Sequence, residues 1–319
     1  MMAPKSIVQS IAYRSRITRL TWHRGTAVFV GHSVASDTGH DVVSIHALGT
    51  LLAFLRREFT PLTLAEVVGN TPIRHSGRPG AALTLDDGYA SNLHLLLPVL
   101  REHEMPATIF VTAGLIGTRD RIWPSEVRRC VRATTLSSAH LSFVPHLVHL
   151  GETSDREAVA ELVVSAAKTT SLTPIQIVDE VREVLQVQPK PCGDDERMLT
   201  RDELAELAAD PLITIGAHTV SHPILANLPF DEAVREIDES REALASAIGY
   251  RPEFLAYPNG EPTDYTPQIM EYLRDSGWKA AFTTEPRRVR PTDNPFSLPR
   301  IPIGEGPPSK LAWSLMRAK

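Results

Sequence analysis

The sequence predicts an α/β protein with a largely parallel sheet or barrel. Short strand-like segments alternate with segments in which apolar residues recur at helical spacing. The 319 residues, 42% of them hydrophobic, are enough to bury a full core as one large domain or as two smaller ones. Repeated βα units turn the loops that follow the strands toward one face. We therefore expect functional side chains at the carboxyl ends of the strands.

The first part of the chain contains three predicted strands and two predicted helices. The earliest strand is a short β-branched run before residue 35, and the helix after it carries Ile45, Leu48 and Leu52 at helical spacing. The strands are predicted at 26–34, 81–85 and 107–114, and the helices at 43–59 and 91–104.

The alternation of elements resumes after residue 200. Thr200 followed by Glu203 is the pattern of a capping box, in which two side chains satisfy free N–H groups at the start of a helix. Gly249 closes a long amphipathic segment, as glycine commonly does at the end of a helix. The predicted order is a helix from Thr200, a strand at 212–218, a helix at 230–249, a strand at 253–258, a helix at 268–277, and strand-like segments at 279–284 and 296–303.

Residues 117–199 interrupt this alternation. They are helical or irregular in character and hold no clear strand pattern. We therefore predict a helical insertion between two βα units. The domain organisation that follows is an N-terminal arm at 1–25, one main domain at 26–304 that contains the insertion, and a C-terminal tail at 305–319.

The composition argues against several classes of function. A formal charge of −5 gives no basic surface of the kind that binds nucleic acid. The two cysteines, Cys130 and Cys192, form no CxxC pair, so neither a disulfide framework nor a thiolate zinc site is indicated. No apolar stretch reaches the length of a membrane span, and the first residues lack the apolar run of a secretory signal. We therefore expect a cytoplasmic protein.

The N-terminal arm is basic. Its 25 residues hold five lysines and arginines, interleaved with apolar residues, and no acidic residue. A solvated arm is the simplest interpretation of such a terminus. The alternative is a peripheral contact with a membrane surface, because basic and apolar side chains together favour the interface.

Two aspartates, Asp86 and Asp87, follow the predicted strand at 81–85 and precede Gly88. Like charges repel each other at the end of a buried strand unless a cation or a positive side chain compensates them. The glycine allows a sharp turn and a close approach of a ligand to the backbone. Taken alone, the motif is explained equally well by an aspartate pair that caps the next helix.

Two histidines follow a later predicted strand. His218 and His222 are four residues apart, at the end of the strand at 212–218. This spacing brings two imidazoles to one side of a single turn, and neutral imidazole suits zinc and similar ions. One carboxylate added to the pair gives a two-histidine, one-carboxylate set that leaves positions open for water and substrate.

These motifs resemble those of the NodB-like polysaccharide deacetylases, carbohydrate esterase family 4. TLDDG at 84–88 is similar to the family's T-F-D-D-G motif, and HTVSH at 218–222 matches its H-[ST]-x-x-H motif. FLAYPNG at 254–260 resembles the F-A-Y-P-x-G form of the third motif, which is typical of one subgroup. FVGHSVASD at 29–37 is similar to the strand that opens many members, and LPRIPI at 298–303 to their closing segment.

The resemblance implies a distorted (β/α) barrel of about seven parallel strands, and a metal-dependent hydrolase that removes an N-acetyl group from an amino sugar. It implies Asp87, His218 and His222 as ligands of a divalent metal, with zinc as the expected ion, and Asp86 as the general base. Bound zinc acidifies its water and polarises the amide carbonyl, so that hydrolysis proceeds near neutral pH. The implied substrate is an N-acetylated amino-sugar glycan or a lipid-linked precursor of one.

The sequence departs from the family pattern at two positions. Classical members carry an arginine in the third motif that orients the base, where this chain has Ala256, and a histidine in the last motif that acts as general acid, where it has Arg300. Arginine stays protonated and is a poor proton donor. We expect Arg300 to replace the missing arginine, by pairing with Asp86 or by stabilising the oxyanion. His32 becomes the candidate proton donor or substrate contact, against the simpler interpretation of a structural histidine.

Tyr257, Pro258 and Asn259 are candidates for lining the substrate groove, although a tight turn explains the YPNG pattern equally well. Trp123 is a candidate for stacking on a sugar ring. Two alternatives to the deacetylase stay open. One is a deformylase or another hydrolase of non-peptide C–N bonds with the same fold. The other is a catalytically silent carbohydrate-binding relative, which the missing acid histidine favours.

Overall fold

The computed structural model describes residues 25–35, 42–69, 77–151, 155–194 and 196–303, and also residues 309, 310, 312 and 315. The predicted N-terminal arm, apart from Gly25, lies outside the described residues, as does most of the predicted C-terminal tail. Within the described ranges, no helix combines the length and the apolar composition that crossing a bilayer requires.

One curled parallel sheet forms the centre of the molecule. The strands of the described residues are β1 (Ala27–Gly31), β2 (Ser33–Ala35), β3 (Val42–Ser44), β4 (Thr60–Pro61), β5 (Gly80–Leu85), β6 (Ala107–Val111), β7 (Ser138–Ala139), β8 (Val148–His149), β9 (Ile213–Ala217), β10 (Phe254–Ala256), β11 (Ala280–Phe282) and β12 (Ile301–Pro302). Seven of them follow one another across the sheet in the order β11-β10-β9-β6-β5-β1-β12, and β4 adds to β5. This sheet confirms the predicted distorted (β/α) barrel.

Helices cover the outside of the sheet, largely where the sequence predicts them. They are α1 (Ile45–Glu58), α2 (Leu64–Val68), α3 (Leu97–His103), α4 (Trp123–Ala133), α5 (Arg156–Ala167), α6 (Pro174–Val184), α7 (Arg201–Ala208), α8 (Phe230–Ile248) and α9 (Pro267–Asp275). The capping box of Thr200 and Glu203 begins α7, and Gly249 ends α8 with a positive φ of 82°. The helix predicted from residue 91 starts instead as a π-helical turn, Asn92–Leu96, before α3.

Alternate side chains of each strand enter two different environments, because successive residues point to opposite faces of a sheet. One set packs against the helices and includes Phe29, Leu83, Ile109, Ile215 and Leu255. The other set forms a separate cluster inside the curled sheet, and it includes Val28, Ala82, Phe110, Phe254, Ala256 and Phe282. The inner set defines the positions from which side chains reach the barrel interior.

The segment that leads into β12 brings the two ends of the sheet together. Leu298 forms a parallel bridge with Phe282 of β11, while Ile301 pairs with Phe29 of β1. Arg300 lies between these two contacts. The side chain at this position therefore enters the barrel where the sheet closes.

The predicted insertion contains three helices, α4 to α6, and a hydrophobic cluster of its own that includes Val127, Cys130, Val163 and Val181. It also holds one short antiparallel pair, β7 with β8, which the sequence pattern does not indicate. Cys130 and Cys192 are both buried and free. The boundaries of the arm, the main domain, the insertion and the tail stay predictions.

Candidate metal centre and active site

Asp86 and Asp87 lie directly after β5, at the carboxyl end of the sheet, and both are buried. Asp86 continues the strand alternation on the inner face. Asp87 has a φ of 80° and Gly88 a φ of 89°, so the chain turns sharply and the second carboxylate enters the same site. A Cβ on Gly88 would lie 2.8 Å from Cγ1 of Val111, so the close approach of this turn to β6 requires glycine.

His218 and His222 approach Asp87 from the neighbouring strand end. His218 follows β9, and its Nδ1 is 2.8 Å from the carbonyl oxygen of Ala256, which turns Nε2 toward the site. Thr219 and His222 have φ values of 65° and 60°, so the loop bends tightly enough to return the second imidazole. The two rings stand edge to face, with centroids 4.8 Å apart.

The three side chains fit a divalent cation. Oδ1 of Asp87 is 3.6 Å from Nε2 of His218 and 3.8 Å from Nε2 of His222. These separations are too long for hydrogen bonds. They suit ligand atoms that share one ion, because two atoms about 2.1 Å from an ion at a tetrahedral angle are about 3.4 Å apart. Within the described residues this is the one cluster of potential metal ligands.

The electrostatics of the site keep both histidines neutral, which is the form that binds a metal. Burial lowers the pKa of His218 to about 4, against the opposing effect of Asp86. Burial and the neighbouring His218 lower the pKa of His222 well below its ordinary range. Nδ1 of His222 is buried without a hydrogen-bond partner.

Arg300 forms a bidentate ion pair with Asp86. Nη1 donates to Oδ1 at 2.6 Å and Nη2 donates to Oδ2 at 2.7 Å. Burial by itself would raise the pKa of Asp86, but the charge and the hydrogen bonds of Arg300 outweigh it and hold the pKa at about 2. The same guanidinium donates to the Thr283 carbonyl and to the Thr84 hydroxyl, and lies over the Phe110 ring. The arginine of the closing segment thus occupies the position expected for the partner of the base.

His32 lies near this group, at an inner position two residues beyond Val30. It is partly exposed, and its charge is among those that lower the pKa of Asp86 and of both metal-site histidines. The structure therefore brings His32 within electrostatic reach of the other candidate residues.

The three candidates for the substrate groove lie in the loop after β10. The Tyr257 ring is fully buried and stacks on Tyr265, and its hydroxyl donates to the Phe296 carbonyl at 2.8 Å. Pro258 is buried as well. Asn259 has a φ of 58°, and its Nδ2 is buried without a hydrogen-bond partner. The side chain of Tyr257 is therefore not available to the substrate, and only its backbone could contact it. Asn259 has a side-chain N–H group that is free to donate a hydrogen bond.

Three further residues, Thr84, Glu236 and Trp123, support the site through contacts that the sequence patterns do not reveal. Thr84 donates to the Phe29 carbonyl while it accepts from Arg300. Glu236 of α8 accepts from the backbone N–H groups of Val220 and Ser221, which fixes the histidine loop. Trp123 of the insertion is not exposed for sugar stacking, since it is only 3% exposed and its Nε1 donates to the His222 carbonyl at 3.1 Å.

Comparison with protein families identifies a matching family model, described as polysaccharide deacetylase. It matches residues 74–200 and 194–281, which together exceed half of the chain. The first match runs through the predicted insertion, while His32 and Arg300 lie outside both matches. No curated protein sequence gives a significant match.

Several solved structures share the fold. IcaB from Ammonifex degensii is 19% identical, with a TM-score of 0.60 over 91% of this chain and 97% of that chain. The Streptococcus pyogenes deacetylase PplD, in complex with acetate, is 15% identical, with a TM-score of 0.59 over 91% and 98%. A de-N-acetylase from Aggregatibacter actinomycetemcomitans is 14% identical, with a TM-score of 0.56 over 90% and 98%. At these identities the likeness establishes the fold.

The indole N–H of Trp123 is expected to support metal binding, because it holds the backbone of His222 in its left-handed conformation. Trp123→Phe should weaken zinc binding by about tenfold, the lower end of the effect of outer contacts on metal affinity. Competition with a chromophoric chelator measures this constant. Trp278→Phe is the matched control, since the indole N–H of Trp278 is buried without a partner. Equal zinc affinity in the two variants would contradict the prediction.

Proposed function

Because this chain belongs to the polysaccharide deacetylase family, we propose that it is a metal-dependent hydrolase that removes the N-acetyl group from an amino sugar. The observation that carries the proposal is the meeting of two groups at one end of the barrel. One is the ligand cluster of Asp87, His218 and His222, and the other is the ion pair of Asp86 with Arg300. A cation site beside an ionised carboxylate is the combination that hydrolysis of an unactivated amide needs.

Asp86 is proposed as the general base. A divalent cation bound by the three ligands would polarise the acyl carbonyl and acidify the attacking water, and zinc suits this donor set. Asp86 would accept the proton of that water. Arg300 lowers the pKa of Asp86, which makes the carboxylate a weaker base, so acidification of the water by the cation would assist the transfer. The low pKa also keeps Asp86 ionised throughout the neutral range.

Arg300 is proposed to orient Asp86 and to keep it charged. Both carboxylate oxygens accept from the guanidinium fork, so the carboxylate cannot rotate, and the lone pairs that stay free have a fixed direction. Arg300 is fully buried, and its Nε is held by the Thr283 carbonyl. A group that is fixed in this way positions the base, and it is not available to protonate the leaving amine.

His32 is proposed as the proton donor to the leaving nitrogen. Two observations support this role, namely its inner position beyond β1 and its electrostatic effect on Asp86 and the two metal-site histidines. Imidazole is also the side chain that donates and accepts protons most readily near neutral pH.

The proposed substrate is an N-acetylated amino sugar in a glycan or in a lipid-linked glycan precursor, met in the cytoplasm or at its membrane surface. Asn259, Pro258 and the backbone of Tyr257 are proposed to line the groove. The membrane contact is proposed from the basic and apolar pattern of residues 1–25, which lie almost wholly outside the described part of the chain.

Arg300→Lys keeps the positive charge and removes the fork, so we expect kcat to fall by about 10- to 100-fold, the loss of one charge-assisted hydrogen bond. The control is Arg241→Lys. Arg241 is also buried, but it binds the carbonyls of Pro252, Ser276 and Gly277 outside the site and stacks on Trp278. Both variants should melt at a lower temperature, and only Arg300→Lys should lose kcat. If both variants have the same kcat, Arg300 has no role in catalysis and the prediction is wrong.

His32→Gln is expected to lower kcat by about 100-fold, within the range that a general acid contributes, and to leave the zinc content unchanged. Steady-state kinetics and metal analysis on the same preparation give the two values. A kcat equal to that of the parent protein would assign the proton donor to another group.

The function itself is tested with a panel of N-acetylated and N-formylated amino sugars, presented as monosaccharides, as a polymer and as lipid-linked precursors. We expect the protein to release acetate, to lose this activity on chelation, and to regain it with zinc. Asp87→Asn should lose both zinc and activity, because it removes a charged ligand.

Each alternative function has its own outcome in the same assay. Faster release of formate than of acetate would favour the deformylase. Stoichiometric zinc and measurable glycan binding, without hydrolysis of any member of the panel, would favour the silent carbohydrate-binding relative.

A further inference from the structure

Thr112 has a buried hydroxyl group that the fold leaves without a partner. The residue follows β6 and is 1% exposed, and its Oγ1 makes no hydrogen bond. A buried hydroxyl without a partner is destabilising, since it has lost its hydrogen bonds to water. Such a group calls for a specific explanation.

The position of Thr112 within the sheet points to that explanation. Its backbone N–H donates to the carbonyl oxygen of Asp87 at 3.1 Å, and the N–H of His218 donates to the carbonyl of the preceding residue, Val111, at 3.0 Å. Val111 pairs in register with Ala217, so Thr112 is level with His218. Thr112 therefore lies between the strand end that carries the aspartates and the one that carries the first histidine.

Strand alternation gives the face on which its side chain lies. Ile109 and Val111 of β6 belong to the cluster that packs against the helices, and Phe110 belongs to the inner cluster. Thr112 keeps an extended backbone, with φ −76° and ψ 101°, so the alternation continues and its side chain shares the inner face with Phe110. Asp86 and His218 are the corresponding inner residues beyond β5 and β9.

Burial restricts what the hydroxyl can contact. At 1% exposure it lies too deep for a sugar ring, whose own hydroxyl groups need an open groove. The acyl group is the smallest part of an N-acyl substrate, and it is the part that reacts beside the ligand cluster. Its carbonyl oxygen, and the carboxylate of the released acid, are acceptors that a hydroxyl can serve.

We propose that Thr112 is a further substrate-binding residue, whose hydroxyl donates a hydrogen bond to the acyl oxygen of the substrate and to the carboxylate of the acid product. This inference rests on the proposed function, because it takes the acyl amide as the reacting group. The protein leaves the hydroxyl without a hydrogen bond, and the bound ligand supplies one. The free protein is therefore less stable than it would be without this hydroxyl, and the ligand binds more tightly because of it.

The test compares Thr112→Val with the parent protein, because valine keeps the shape and removes the hydroxyl. We expect the zinc-loaded Thr112→Val protein to melt at the same temperature as the parent or higher, since an unpaired buried hydroxyl is removed. Its inhibition constant for acetate should rise by about tenfold, and kcat/KM should fall by a similar factor. Thr112→Ser should restore both constants toward the parent values.

Two controls separate this role from a structural one. Thr84→Val removes a hydroxyl that donates to Phe29 and accepts from Arg300, so its melting temperature should fall. Thr108→Val changes a buried threonine on the same face of β6, two same-face positions before Thr112, and should leave the acetate constant unchanged. If Thr112→Val melts lower, as Thr84→Val does, and binds acetate as the parent does, Thr112 is structural and the inference is wrong.

The inference and the proposed function can fail separately. If the parent protein hydrolyses no substrate, acetate binding is measured directly by its effect on the melting temperature of the zinc-loaded protein. Acetate that stabilises the parent and not Thr112→Val supports the contact although the function has failed. Acetate that stabilises both equally overturns the contact.

Discussion

The ion pair between Arg300 and Asp86 is the interaction on which the rest of the site depends, because it joins the last strand of the barrel to the first motif. The guanidinium also binds Thr84 and Thr283, so one side chain connects β5 with the segment beyond β11. Removal of one partner from such a buried pair costs about 3–5 kcal/mol, since the other charge is left uncompensated. The same contacts therefore close the sheet and fix the orientation of Asp86.

Backbone strain is concentrated at the same place. Among the described residues other than glycine, six have a positive φ, and four of them, Asp87, Thr219, His222 and Asn259, lie in the three loops that form the site. Strain of this kind costs of order 1–3 kcal/mol per residue, so it persists only where neighbouring contacts hold it. Glu236 holds the histidine loop, and Trp123 binds the carbonyl of His222. The predicted insertion thereby contributes to the candidate metal centre through a backbone contact.

The sequence was sufficient to predict those parts of the fold and of the candidate site that depend on a local residue pattern. Alternating βα segments predict the curled sheet, and the DDG and HxxxH motifs contain the three residues that meet as one cluster, Asp87, His218 and His222. The sequence also left two roles open for Arg300, and the structure brings it to Asp86. The contacts of Trp123, Glu236 and Thr112 could not be predicted, because they join elements that lie far apart in the chain. The alternation in ATIFVT places Thr112 on the same face as Phe110. Only the register between β6 and β9 shows that this position is level with His218.

The transfer of the arginine from the third motif to the closing segment follows from the geometry of a barrel interior. Inner side chains of all strands share one small volume, so a guanidinium can reach the same carboxylate from different strands. Ala256, at the position where the family's arginine is expected, adds little bulk to the interior. Gly216 adds no side chain at all, and a Cβ there would clash with the ring of Phe110, over which Arg300 lies.

The same geometry bears on the proton donor. Arg300 occupies the position of the closing segment from which the related enzymes are expected to supply their acid. An acid must then come from another strand end that faces the same volume. β1 lies next to β12 and carries His32 at the inner position beyond its end, which is why we propose His32 for this role. Asp86 and Arg300 are buried, whereas His32 is partly exposed. Partial exposure suits the proposed role, because a proton donor must regain its proton from solvent after each turnover.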